Sequence, residues 1–184
     1  MVFQGAILQK KSDPNGSLSA KTQQPLRSSS PRRRSPTLLK SKSRIRIKPS
    51  GHLFLWTDKF HDCEGVFQCF TNSNLLCVDK ITWNTNRLGM GFRSRQTAEY
   101  LRVFQKPPKR VKGCWTDHAI SDVWTEKVKK NHPHTKPVEL QRRLILATTL
   151  PGDIVLDPAA GGYSVLEACK LANRDFLGGD IKYG

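Results

Sequence analysis

The chain has 184 residues with 31 Lys/Arg against 15 Asp/Glu, a formal net charge of +16, and that length holds one ordinary domain if most of it contributes to a core. The charge is lopsided, since residues 1–50 hold 12 Lys/Arg against the single acid Asp13; the mildly basic remainder fits a nucleic-acid partner without demonstrating one. No run approaches the ~18 apolar residues that a membrane-spanning helix needs, and the opening MVFQGAILQKK lacks the basic region and long apolar stretch of a secretory signal, so membrane and secreted classes are set aside and a cytoplasmic protein is expected.

Residues 9–37 are rich in Ser, Pro, Lys, Arg and Gln and nearly free of large apolar side chains. Such a stretch buries too little surface to offset the entropy of ordering, so 1–44 reads as a disordered basic tail, solvated and able to grip phosphates through SSSPRRRSPTLLKSKSR (28–44). Organisation begins near Ile45. His52–Trp56 (HLFLW) predicts a buried strand. From Asp58 to Phe70 the apolar residues Phe60, Cys63, Val66, Phe67 and Phe70 recur at helical spacing. Leu75–Trp83 and Tyr100–Gln105 are rich in β-formers and predict two antiparallel strands joined around Gly89-Met90-Gly91. Residues 106–133 read as a polar, basic loop region. Pro137 suits a first helical turn, and Val138, Leu140, Leu144, Ile145 and Ala147 carry an apolar stripe to about Leu150. Asp153–Leu156 predicts a strand, 162–172 a second amphipathic helix, and Asp175–Ile181 a final strand. Helix and strand alternating with short connections imply parallel α/β pairing. The cysteines Cys63, Cys69, Cys77, Cys114 and Cys169 form no CxxC pair. A metal site from His61, Cys63, Cys69 and Cys77 matches no zinc spacing, so free thiols in a reducing compartment are expected.

The most informative segment is DIVLDPAAGGYSVLEA (153–168). A buried strand runs into an acid, then a small-residue turn, then a helix. Gly161 and Gly162 let backbone approach a ligand closely, the helix start offers free N–H groups, and Asp180 stands at the end of the next strand, where a carboxylate accepts from two ribose hydroxyls. The turn lacks a full G-x-G-x-x-G, which argues against a nicotinamide or flavin.

Upstream, HPHTKPVELQRRLI (132–145) leads through one helix into that turn. With it the chain resembles the N4-cytosine/N6-adenine DNA methyltransferases in the permuted order, with the cofactor region last: His132-Pro133, Lys136-Pro137 and Asp157-Pro158-Ala159-Ala160-Gly161-Gly162 match in order and spacing. GMGFRSRQTAEYLRVFQK (89–106) looks like the family's basic loop and following strand, and Trp83 like the end of the strand before it. The likeness spans roughly 45–184. It implies a Rossmann-like α/β sheet, mostly parallel with one antiparallel hairpin, and S-adenosylmethionine as cofactor. Asp157, Pro158, Ala159, Ala160, Gly161 and Gly162 would enclose its methionine part, Lys136 would lie near its carboxylate, and Asp180 would hold the ribose. Double-stranded DNA would face Arg93, Arg95 and the segment 106–131 through Lys109, Arg110, Lys112, Lys127, Lys129 and Lys130. Trp115 and Trp124 would contact bases or anchor packing.

The chain departs from that family in one respect. Amino-methylation requires an extruded base whose NH₂ is held by acceptors, which the family supplies with a [D/N/S]-P-P-[Y/F/W] tetrapeptide. Residues 1–51 contain none, and neither Asp13-Pro14-Asn15-Gly16 nor Lys106-Pro107-Pro108-Lys109 qualifies; no catalytic residue is therefore assigned. The strand that presents it would lie between the DIVL and HLFLW strands. Val2–Leu8 is the one spare apolar run upstream, but Gly5 interrupts it, and the favoured expectation is an incomplete sheet whose original beginning was replaced by residues 1–44, with a further helix expected after Gly184. The rival readings are a non-catalytic nucleic-acid binder using the basic tail and a methyltransferase acting on RNA or a small molecule. Target base, recognition sequence and oligomeric state are not legible.

Overall fold

The computed structural model describes the main chain of residues 2–8, and residues 47–65, 74–91, 93–129 and 132–180. Its elements are β1 (Val2–Leu8), β2 (His52–Thr57), α1 (Lys59–Cys63), β3 (Leu76–Gly89), β4 (Gln96–Gln105), β5 (Val123–Thr125), α2 (Val138–Thr148), β6 (Ile154–Asp157), α3 (Ser164–Ala172) and β7 (Asp175–Gly178). Among the described residues seven strands form one sheet in the order β5-β3-β4-β2-β1-β6-β7.

The sheet is mixed. Parallel pairing holds at β6–β7, as expected from alternating helix and strand, and also at β3–β5. Four of the six pairings among the described residues are nevertheless antiparallel. The expectation of a mostly parallel sheet is corrected, because β1 runs antiparallel to both its neighbours and β2 joins the hairpin antiparallel. The expected hairpin is β3–β4, antiparallel, and β2 joins it antiparallel through six consecutive pairs from His52–Gln105 to Thr57–Tyr100. Between β2 and β6 lies β1, antiparallel to both. This corrects the expectation of a tail disordered from its first residue: Val2–Leu8 is a strand inside the sheet. The physical reason is that an empty slot would leave two facing strand edges whose N–H and C=O groups need partners. Gly5 leaves its mark as a register irregularity between Phe3 and Ala6. Residues 9–46, the bulk of the expected tail, lie outside the described residues.

Side-chain alternation sorts the core onto two faces. Phe54, Trp56, Ile81, Trp83, Leu101 and Val103 meet Leu140 and Leu144 of α2 on one face. That face continues through Val155, Ile145 and the α3 residues Val165, Ala168, Cys169 and Ala172. Leu53, Leu55, Phe104 and Leu156 point the other way, with Ile47. Every residue of β2 is buried, as a strand covered on both faces must be. The stripe expected over Asp58–Phe70 begins a helix, but α1 covers only Lys59–Cys63, capped by the Asp58 carboxylate on the His61 N–H. It is pinned to the sheet by Arg102 donating to Asp62 at 2.8 Å. Val66, Phe67 and Phe70 lie outside the described residues.

The segment expected to be loop contains the short β5 and a helix cap. Pro137, at the start of α2, provides no side-chain cap. Glu126 provides it from elsewhere: its carboxylate accepts from the N–H groups of Glu139 at 3.0 Å and Leu140 at 3.1 Å. The negative charge also suits the positive end of the helix dipole.

Candidate functional site

Strand β6 ends at Asp157, and the chain turns through Pro158 to Tyr163 before α3 begins. The turn is closed by its own main chain and by β7. Ala160 N–H donates to the Gly179 carbonyl at 3.0 Å, and Tyr163 N–H to the Ala160 carbonyl at 2.8 Å. Gly161 has φ +51°, a left-handed conformation that glycine adopts without strain. Its N–H donates to Asp180 Oδ2 at 3.2 Å. Asp180 therefore sits at the glycine bend.

Gly162 is small for another reason. A Cβ there would stand 2.9 Å from His132 Cβ and 3.0 Å from Thr135 Oγ1. The HPHTKP segment thus packs onto the bend, itself tied off by Thr135 Oγ1 donating to the His132 carbonyl at 2.8 Å. Gly178 is equally constrained, because a side chain would meet the Asp157 carbonyl oxygen at 2.3 Å. Three chain segments converge here with no room for an extra methyl group.

Two acids face this bend. Asp157 is fully buried; one oxygen accepts from Ala159 N–H at 3.1 Å, and Oδ2 has no protein partner. Burial pushes its pKa up to about 7, opposed by the Ala159 hydrogen bond and reinforced by the nearby Asp180. At the start of α3, Ser164 is buried with its hydroxyl also unpartnered. Buried polar atoms of this kind ask for a missing partner. The bend therefore offers main-chain N–H groups, unsatisfied oxygens and side-chain-free backbone, the attributes of a small polar-ligand site.

Comparison with known proteins decides the family. The family model for N6/N4-type DNA methylases matches residues 39–183. The chain belongs to this DNA methylase family. It is 54% identical over 140 residues to the type II methyltransferase M.HhaII of Haemophilus parahaemolyticus, covering 75% of this chain and 61% of that one. It is 26% identical over 155 residues to the type II methyltransferase M2.DpnII of Streptococcus pneumoniae, covering 74% of this chain and 58% of that one. The chain thus spans about three fifths of the length of these curated relatives. In fold it resembles the M1.HpyAVI–SAM complex, with TM-score 0.60 at 22% identity over 74% of this chain and 73% of that one. The cytosine-N4-specific PvuII DNA methyltransferase gives 0.61 at 11% identity over 73% and 60%. These likenesses bear out the α/β Rossmann-like architecture.

Other sequence-selected residues of the methylase chain take different places. Lys136 is buried, ion-paired to Glu99 and set over the Trp56 ring at 5.4 Å. Its ammonium is satisfied inside the fold, whereas the sequence reading directed it to a ligand carboxylate; Glu99, quoted in the strand motif without a role, is the partner that reading missed. Thr135 and Ser164 were missed as well, because nothing in a lone hydroxyl signals convergence across distant segments. Trp115 packs edge-on against His52 at 5.7 Å and donates Nε1–H to the Asp117 carbonyl at 2.9 Å. Trp124 donates to Glu126 at 2.8 Å beneath the Arg143 guanidinium. Both tryptophans are partly buried and pack against the α2 core cluster. Arg93, Arg95, Lys109, Arg110, Lys112, Lys127 and Lys129 are exposed, and Lys130 lies outside the described residues. Among the described residues no His/Cys/Asp/Glu group is placed to hold a metal, and no helix is long and apolar enough to cross a membrane. Cys63, Cys77, Cys114 and Cys169 are free thiols; Cys69 lies outside the described residues.

Proposed function

We propose that this chain is the cofactor-binding part of an S-adenosylmethionine-dependent DNA methyltransferase, cytoplasmic and of the restriction–modification kind, whose acceptor is an exocyclic amino group of adenine or cytosine in double-stranded DNA. The observation that carries the reading is the Gly161-Gly162 bend whose N–H is held by Asp180 at 3.2 Å, in a chain of the methylase family. The residues fit the cofactor. The bend accommodates close backbone approach, and the unpartnered Asp157 Oδ2 and Ser164 Oγ accept or donate to a polar ligand. Asp180 exchanges the Gly161 N–H for ribose hydroxyls. Asp157, Pro158, Ala159 and Ala160 shape the remaining wall, and Lys136, through Glu99, positions the 132–135 segment against it. The bound cofactor supplies an electrophilic methyl group. Arg93, Arg95, Lys109, Arg110, Lys112, Lys127, Lys129 and Lys130 meet phosphates, which fix register without reading sequence.

Titration calorimetry with S-adenosylmethionine and with its demethylated product tests this. Both give heat, and Asp180→Ala weakens binding by about tenfold. Absence of heat with either compound on folded protein overturns the reading. Because the sequence contains no [D/N/S]-P-P-[Y/F/W] tetrapeptide, the polypeptide by itself is expected to bind cofactor without transferring tritiated methyl to unmodified DNA.

A further inference from the structure

The tip of the β3–β4 hairpin is built in an unusual way. Pairing passes from Asn84–Ala98 to Gly89–Gln96, so four residues of β3, 85–88, stand opposite Thr97 alone. The surplus does not hang loosely. Asn84 Oδ1 accepts from Asn86 N–H at 3.0 Å, Asn86 takes φ +52°, and Thr85 Oγ1 donates to the Thr97 carbonyl at 2.9 Å. Arg87 Nη2 ties the bulge to the Val128 carbonyl at 3.2 Å. Leu88 at the end of this bulge and Met90 just past the strand present large apolar side chains to solvent, at 70% and 83% exposure. Isolated exposed apolar residues are ordinary. Here the pair shares the hairpin tip with the exposed residues Arg87, Arg93 and Arg95, with Arg95 Nη1 lying 3.3 Å from Met90 Sδ.

A cleft opens at the foot of the same hairpin. It has a volume of about 190 Å³ and is lined by Trp83, Arg87, Gly89, Glu99, Val128 and Thr135 among others. Thr135 also touches the glycine bend, so the cleft and the bend share a wall. The cleft is smaller than the ~300–1,000 Å³ of a drug-sized pocket, which suits a ligand no larger than one heterocyclic base.

We propose that Leu88 and Met90 form an apolar wedge that enters double-stranded DNA at the base pair being opened, with Arg87, Arg93 and Arg95 holding the phosphates on either side. The inference rests on the reading that this chain acts on DNA. Its logic is physical: an extruded base leaves a stack with an apolar gap, side chains such as Leu and Met fill such gaps, and cations around them neutralise the backbone. A purely phosphate-binding tip would have no use for two exposed apolar residues. Cations of one sign on the same hairpin tip match a polyanion such as the DNA backbone.

The test uses the full chain and a labelled duplex of mixed sequence, either fully paired or with a single abasic site, where the unstacking cost is already met. The intact protein binds the abasic duplex about tenfold more tightly. The double variant Leu88→Ala/Met90→Ala loses that preference while the salt dependence of its binding, set by phosphate contacts, stays the same. Arg93→Ala/Arg95→Ala weakens binding to both duplexes alike. Equal affinity of the intact protein for the two duplexes, no binding to either, or an unchanged preference in the apolar variant overturns the wedge. Circular dichroism and calorimetric heat with S-adenosylmethionine, measured on each variant, keep folding separate from recognition. Gap preference without that heat would leave the wedge standing and remove the cofactor reading; heat without gap preference would do the reverse.

Discussion

Asp157 concentrates the chemistry of the bend in one carboxyl group. Its burial raises the pKa from 3.8 to about 7, so the folded state holds this proton more tightly than the unfolded chain does. The contribution of Asp157 to stability is therefore greatest below its unfolded pKa and is lost as pH rises through about 7. Asp157→Asn keeps an acceptor for Ala159 N–H and removes the charge. Its stability relative to the parent should improve by about 2–3 kcal/mol between roughly pH 5 and pH 8, read from urea unfolding at both. A pH-independent difference would contradict the burial argument. Gly178 offers a second check at the same scale. An added Cβ meets the Asp157 carbonyl oxygen at 2.3 Å and Phe176 Cζ at 2.5 Å, and main chain cannot step aside as a flexible side chain does. Gly178→Ala should lose about 1–3 kcal/mol, visible as a lowered urea midpoint.

At the scale of elements, what the sequence disclosed follows how local each cause is. Helices α2 and α3, strand β6 and the β3–β4 hairpin were legible because each announces itself by periodicity within its own residues. The turn at 157–162 was legible because glycine and aspartate chemistry is local too. The cap on α2 was not, since Glu126 reaches the N–H groups of Glu139 and Leu140 from a segment that reads only as polar. Glu126→Ala should cost about 1–2 kcal/mol and, because Trp124 Nε1 loses its acceptor, should alter tryptophan fluorescence. The place of β1 was illegible for a different reason. Gly5 spoils its pattern, and what draws it into the sheet is the demand of β2 and β6 for partners. Ala6 is opposite Leu53 on one side and Leu156 on the other. A proline at position 6 cannot serve a central strand, so Ala6→Pro should destabilise by about 3 kcal/mol or more, whereas a disordered segment would ignore it. Equal unfolding midpoints would remove β1 from the sheet.

For the whole molecule, the dominant quantity is charge. Of the +16, residues 1–50 contribute 12 of the 31 basic groups against one acid. If the chain meets DNA as proposed, removing residues 12–44 while keeping Val2–Leu8 should flatten the dependence of affinity on salt and leave cofactor heat unchanged. An unaltered slope in filter or anisotropy titrations would assign the phosphate contacts to the body, where Lys109, Lys112, Lys127 and Lys129 are exposed. The meeting of Gly161 and Asp180 was legible in outline from the order of motifs, whereas the packing of His132 and Thr135 onto the bend was not. The commitment of Lys136 to Glu99 was not, because it depends on which strand faces which loop, a property of the assembled sheet.

The position of β1 carries a consequence for how the molecule is made. Ala6 must find Leu156, a partner separated from it by most of the polypeptide, while the β3–β4 hairpin closes between near neighbours. Distant closure is slow, so assembly should proceed from the hairpin outward, with β2 and β6 awaiting the strand that joins them. During that interval the two waiting edges are open to any extended chain that arrives first. Refolding yield should accordingly fall as protein concentration rises, with the losses appearing as strand-exchanged oligomers.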